Sequence, residues 1–249
     1  MQTTATRAAP TERPKLKALA YRALGRLLSC DPLDAVAQIE DVASCLDVLA
    51  WRDTSAAARC SLAAFVTAPD DARAQYSRVF HRSLPPPYET TYTSGGGVSD
   101  LADIAGFYHA FGMAVQGEKA DHVAAELEFL AYLLVKEVHA IDQRQPAHEA
   151  VSRDARIKFL AAHAGTWLPL FAAQIEKVSP GDAYSHLVRA AHLAISADAG
   201  ELGFTLPEPT AYAAALANMP GPAASPDRPF CEPPEDDGTD SEYDPAERT

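Results

Sequence analysis

Four side chains within one short stretch, Asp121, His122, Glu126 and Glu128, are of the types that move protons or hold metal ions. His122 and Glu126 are one helical turn apart, close enough to share a proton or a ligand. A zinc site or a di-iron carboxylate site needs more: the chain contains no His-Glu-x-x-His and no Glu-x-x-His pair. The same residues have a simpler use. Asp121 stands where a helix N-cap is expected, and Glu126 and Glu128 lie near the favourable end of the helix dipole. No metal ligands and no catalytic residues are therefore assigned.

Other chemistry-bearing patterns are equally incomplete. Gly95-Gly96-Gly97 precedes a helical stretch as a phosphate loop would, but no strand leads into it and no Lys-Ser or Lys-Thr pair follows. There is no Gly-x-Ser-x-Gly, and no cysteine stands beside an orienting histidine. Cys30, Cys45, Cys60 and Cys231 include no Cys-x-x-Cys pair and read as reduced thiols, the first three packing as small hydrophobes in helices.

Apolar residues recur at three and four rather than at two, alanine is abundant, and β-branched residues are scattered, which predicts an all-α fold. A helix should follow Pro14, burying a stripe of Leu16, Leu19, Ala20, Ala23, Leu24, Leu27 and Leu28, and end near Cys30 before Asp31-Pro32. Helices are expected over about 33 to 50 and 54 to 67, and another opens at Pro69 with Tyr76, Val79 and Phe80 on one face. Residues 82 to 97 hold three consecutive prolines and three consecutive glycines and must form a loop, the first place to look for function. A helix from Val98 to Met113 follows. The strongest pattern spans 120 to 142, with Val123, Leu127, Leu130, Leu134, Val138 and Ile141 on one stripe. A helix from Pro146 to Val178, kinked at Pro169, and a last one over 181 to 200, ending at Gly200, complete a single-domain bundle of about eight to ten helices. Tyr76 and Phe80, and Trp167 beside Pro169, read first as plain core.

The chain is 249 residues long with a net charge of -13, which argues against nucleic acid as a partner. That charge is uneven. Residues 207 to 249 hold nine prolines and ten acidic against two basic residues, so -8 lies there and -5 in the rest. Such a segment cannot bury enough apolar surface to offset its ordering entropy and is expected to be a disordered acidic tail. Residues 1 to 13 are expected to be a flexible N-terminus and 14 to 206 the helical domain. No window reaches the roughly 20 apolar residues of a membrane span, and the first twenty residues show neither a continuous apolar region nor paired arginines. A cytoplasmic protein without stable membrane insertion is expected.

Three signals in order are more specific than any one alone. They are Tyr76-x-Arg78-Val79-Phe80, then Pro85-Pro86-Pro87-Tyr88-Glu89-Thr90-Thr91-Tyr92, then Asp121-His122-x-x-x-Glu126-Leu127-Glu128-Phe129-Leu130, with His163 to Pro169 as a later echo. Over residues 15 to 200 the chain resembles the TorD/DmsD/NarJ family of redox-enzyme maturation chaperones. It departs from the family at Ala120, where a proline is common, and at Val79, where a leucine is common.

The resemblance implies an all-helical cytoplasmic chaperone, not an enzyme and without a cofactor. Its partner would be the apo catalytic subunit of a molybdopterin oxidoreductase, with its N-terminal twin-arginine signal peptide, held until the cofactor is inserted and before export. Such a site needs an apolar wall, assigned to Tyr76, Phe80, Pro86 and Tyr88. It also needs acidic groups for guanidinium, assigned to Glu89 and Asp121, with His122 tuning the site and Glu126 beside it. Family members have been associated with guanine nucleotide and with homodimers; no residue here marks either. Two other classes stay open at this point: a small helical enzyme using His122 and Glu126 as acid and base or metal ligands, and a permanent structural subunit of a redox complex.

Overall fold

The computed structural model describes residues 10–29, 35–83, 85–93, 97–114 and 119–207. Nine α-helices are found among them: α1 (Glu12–Leu27), α2 (Ala35–Val48), α3 (Arg52–Thr67), α4 (Pro69–Tyr76), α5 (Val98–Ala110), α6 (Val123–Asp142), α7 (Pro146–Phe159), α8 (Gly165–Val178) and α9 (Ala183–Leu202). The all-α expectation holds. The expected tail lies outside the described residues apart from Pro207, as do the first nine residues, Cys30, Cys231 and the glycines Gly95 and Gly96.

Two helices organise the core. α6 packs against α1 and α7, and α9 against α3 and α8, while contacts of α1 with α2 and α9 join the two groups. Leu24, Leu27, Phe129, Leu130, Leu134, Phe159, Trp167, Phe171, Tyr184, Leu187 and Ile195 belong to one continuous buried cluster. The α6 stripe is buried as far as Leu134. Beyond it Val138 and Ile141 are half-exposed, and Glu137 and Ala140 take the inward positions.

The reason lies in a buried ion network linking α1, α6, α7 and α9. Arg156 donates to both oxygens of Asp198 at 2.6 Å and to Glu137 at 3.0 Å. Lys17 reaches Asp198 and Glu201, each at 2.7 Å, and the Tyr21 hydroxyl donates to Asp198 at 3.2 Å. Arg13 and the Trp51 indole also donate to Glu201. Buried charges survive when each is paired and hydrogen-bonded, and here buried Lys17 and Arg156 answer buried Asp198 and Glu137, while exposed Arg13 and Glu201 close the network at the surface. This network corrects two expectations. The helix begins at Glu12 rather than after Pro14, because Arg13 is held by Glu201; and α1 rotates to bury Lys17 and Tyr21, leaving Leu19 56% exposed.

Irregular turns differ from expectation too. α4 runs into a π-helical turn at Ser77–His81, and a second π turn at Leu160–Ala164, not a kink at Pro169, separates α7 from α8. There the chain demands glycine: a Cβ on Gly165 would collide with the Leu160 carbonyl oxygen and come within 2.6 Å of Leu206 Cδ2. The helix is already broken upstream, so Pro169 removes only one bond, to Gly165, near the start of α8. α9 continues past Gly200 and stops at Leu202, because Gly203 takes the left-handed conformation with φ 85°.

Candidate functional site

The long loop docks on the start of α6. Glu89 N donates to Asp121 O at 2.9 Å and Val123 N to Pro87 O at 3.0 Å, closing an antiparallel bridge between Tyr88 and His122. Its prolines cannot continue a helix, so the segment lies extended until Glu89–Thr91 forms one 3-10 turn. The Tyr92 hydroxyl pins the turn by donating to Pro86 O at 3.0 Å, and its ring stacks on Trp167 at 5.5 Å.

This docking assembles a row of rings. Tyr76 and Phe80 lie 5.2 Å apart and both rest on buried Tyr184 at 5.5 Å. Phe80 faces His122 at 6.0 Å, His122 faces Tyr88 at 5.3 Å, and the Lys119 ammonium sits over Tyr88 at 4.8 Å. Tyr76, Phe80, Pro86 and Tyr88 are each half-exposed, so the row is anchored in the core and open along one side. Phe80 lies within the π turn after α4, whose wider winding departs from the α-helical register and so sets where the ring points.

Behind the row lies a buried acidic cluster. Glu89, Asp121 and Glu126 are each 1% exposed. Asp121 accepts from Thr90 N at 3.2 Å and from Thr90 Oγ1 at 2.6 Å, and so fastens the loop. Glu126 accepts from the Trp167 indole at 3.0 Å and lies within hydrogen-bonding range of Glu89. Burial, and then the neighbouring Glu89 charge, hold the Glu126 carboxyl well above the ordinary carboxylate range. Buried His163 lies with Nδ1 3.1 Å from Glu89 Oε1 and Nε2 3.2 Å from Asp103 Oδ2, off the line of a hydrogen bond. Burial alone would lower the His163 pKa, but the bond to Glu89 and the charges of Glu89 and Asp103 raise it overall.

All eight residues singled out from the sequence are thus brought into one neighbourhood, at two depths. The apolar wall faces outward. The carboxylates of Glu89 and Asp121, expected opposite guanidinium groups, are turned inward and hold the loop, because they neighbour His163 and Thr90 there. The N-cap of α6 is His122, not Asp121: its Nδ1 accepts from Ala124 N at 3.2 Å. Sequence reading assigned no role to Thr90, Tyr92 or His163. The His163 to Pro169 stretch was a visible signal, but its pairing with a residue far upstream was not. Among the described residues no group of three or more His, Cys, Asp or Glu is arranged to hold a metal ion. None of their helices is long and apolar enough to cross a membrane.

A second concavity, a groove of about 640 Å³, runs between α1 and α6. Leu19, Met113, Tyr132 and Val135 line it, with Lys15, Arg22 and Glu128 among its polar residues.

Comparison with known proteins places these features in a family. The family model described as the nitrate reductase delta subunit matches residues 50–173, about half of the chain. The perchlorate reductase assembly chaperone protein of Dechloromonas aromatica (strain RCB) is 29% identical over 147 residues, covering 55% of this chain and 64% of that protein. The chaperone protein TorD of Vibrio cholerae (strain O395) is 32% identical, covering 44% and 50%. The selenate reductase assembly chaperone protein of Thauera selenatis is 33% identical, covering 41% and 56%. The chain therefore spans between half and two thirds of the length of these relatives. No solved structure matches it at comparable significance. The matched span runs from α3 into α8 and so includes the ring row, the docked loop and the acidic cluster; on these findings, the chain belongs to the TorD/NarJ family of assembly chaperones.

Proposed function

We propose that this protein is a cytoplasmic chaperone, not an enzyme. It holds the N-terminal twin-arginine signal region of the apo catalytic subunit of a molybdopterin oxidoreductase while the cofactor is inserted. The observation that carries this reading is the row of half-exposed Tyr76, Phe80 and Tyr88, joined by the buried His122 between Phe80 and Tyr88. Half-exposed aromatic rings on a rigid base offer an apolar peptide segment large contact area at low entropic cost. Pro86 extends the wall. Glu89, Asp121 and Glu126 act by fixing Tyr88 in place. The solvent-facing carboxylate of Asp103, beside His163, is left to meet the client's arginines. His122 and Glu126 are poorly arranged as an acid and base pair, since His122 caps α6 and Glu126 accepts from Trp167 in the interior.

Calorimetric titration with a signal peptide from a molybdopterin enzyme encoded beside this protein tests the reading. Tyr88→Ala and Phe80→Ala should each weaken binding about tenfold or more while circular dichroism stays unchanged. Unaltered affinity in both folded variants would remove the row from the site.

A further inference from the structure

The buried carboxyls behind Tyr88 are more than filler. Glu89 Oε1 is engaged by His163, but Glu89 Oε2 is buried with no N–H or fixed hydroxyl donor. Glu126, the neighbouring carboxyl, accepts from the Trp167 indole, whose N–H lies 3.2 and 3.0 Å from its two oxygens. Two carboxyl groups so placed can bond only if one carries a proton, which then serves as the missing donor. We propose that Glu126, Glu89 and His163 form a proton-held latch that fixes the Pro85–Thr93 segment, and with it Tyr88, against the start of α6, and that loss of the shared proton releases the segment.

Every neighbouring element contributes to the balance. The loop supplies Glu89, and Asp121 stands just before α6, which itself carries Glu126 and Glu128. α5 brings Asp103 and the Tyr108 hydroxyl, the π turn brings His163, and α8 brings Trp167. His163 is the cationic partner paired with Glu89 itself, while the Lys119 ammonium over Tyr88 and the buried His122 before α6 also face the segment. Deprotonation of Glu126 therefore sets a second buried charge beside Glu89, and neutralisation of His163 removes the counter-charge. Both changes favour release as pH rises. The consequence for client binding rests on the function proposed above; the latch itself does not.

The chain has two tryptophans, so in full-length Trp51→Phe protein the emission reports Trp167 alone. Emission and amide exchange at Glu89 and Tyr92, corrected for intrinsic rates, are followed from about pH 6 to about pH 9 without peptide. Both should change over one interval, exchange rising about tenfold per pH unit beyond the midpoint. Glu126→Gln keeps an acceptor for Trp167 and supplies a fixed N–H donor to Glu89, so it should remain docked throughout. Pending that variant's folding, the wild-type infrared spectrum should lose a protonated carboxyl band over the same interval. Exchange independent of pH, a transition retained in folded Glu126→Gln, or no such band would overturn the latch. Peptide affinity that falls with pH in wild type but not in Glu126→Gln links the latch to the client. A transition with constant affinity sustains the latch and instead contradicts the placing of the client on Tyr88.

Discussion

α6 contributes a carboxylate to two buried polar clusters, Glu126 near its start and Glu137 near its end, about 16 Å apart along the helix. At the Glu137 end, Arg13, Lys17 and Arg156 answer Glu137, Asp198 and Glu201, so cations and carboxylates balance and, of their side-chain polar atoms, only Arg156 Nε is buried without a hydrogen-bond partner among the described residues. At the Glu126 end, three carboxyls meet only one histidine that pairs with them, His163, since His122 caps α6, and buried polar atoms of Glu89, Asp121 and His163 go without a hydrogen-bond donor or acceptor from the fixed groups around them. The first cluster ties four helices together. The second ties down one loop and leaves its own balance to a proton. The difference teaches where the fold is fixed and where it is conditional: the conditional cluster lies directly behind the ring row.

The sharpest way to break this contrast is at the balanced end. Arg156→Met leaves Asp198 and Glu137 short of their shared cation and should cost about 3–5 kcal/mol, read as a lower urea midpoint of the whole transition. Next, Gly165→Ala forces a methyl against the Leu160 carbonyl and disturbs the π turn that presents His163. A loss of about 1–3 kcal/mol is expected, with faster exchange in the loop as well as a lower midpoint. A smaller, local effect should follow from Thr90→Val, which removes the hydroxyl donor to Asp121. About 1 kcal/mol is expected, seen as faster amide exchange at 89–92 with the global midpoint almost unmoved. Equal global losses from Arg156→Met and Thr90→Val would erase the distinction between the two ends.

pH should separate the ends in sign. Burial would raise the Glu201 pKa, but hydrogen bonds from Arg13, Lys17 and Trp51 outweigh it and bring it to about 2. That contribution is present above the ordinary carboxylate range and is lost as pH falls towards about 2. Glu126 and His163 are both raised, so their contributions are complete below their ordinary values and fade as pH rises through the raised ones. Acid should therefore loosen the contact of α1 with α9, and alkali the loop. Hydrogen exchange at Lys17 and Tyr92 across both pH limbs measures the two effects in one experiment.

Much of the helical layout was legible, because spacing of three and four reports which face is buried. The docked loop was also marked, since Pro85-Pro86-Pro87 cannot be helix. What stayed hidden were polar residues whose burial depends on distant partners. Lys17 reads as a solvated lysine until Asp198 stands beside it, 181 positions away, and Leu19 then has to turn outward. Asp121 looked like a cap and His163 like one residue of a motif, because neither Thr90 nor Glu89 is near in sequence. The site's membership was thus readable and its layering was not: spacing assigns residues to a face but says nothing of which carboxylates a proline-rich loop will cover.

The central claim, that the conditional end of α6 carries the client surface, is tested most directly by hydrogen exchange of the full chain with and without the client signal peptide. Added protection is expected over residues 76–92 and 119–123, with the α1–α6 groove around Leu19 and Val135 unchanged. Protection confined to that groove, with none along the ring row, would contradict it.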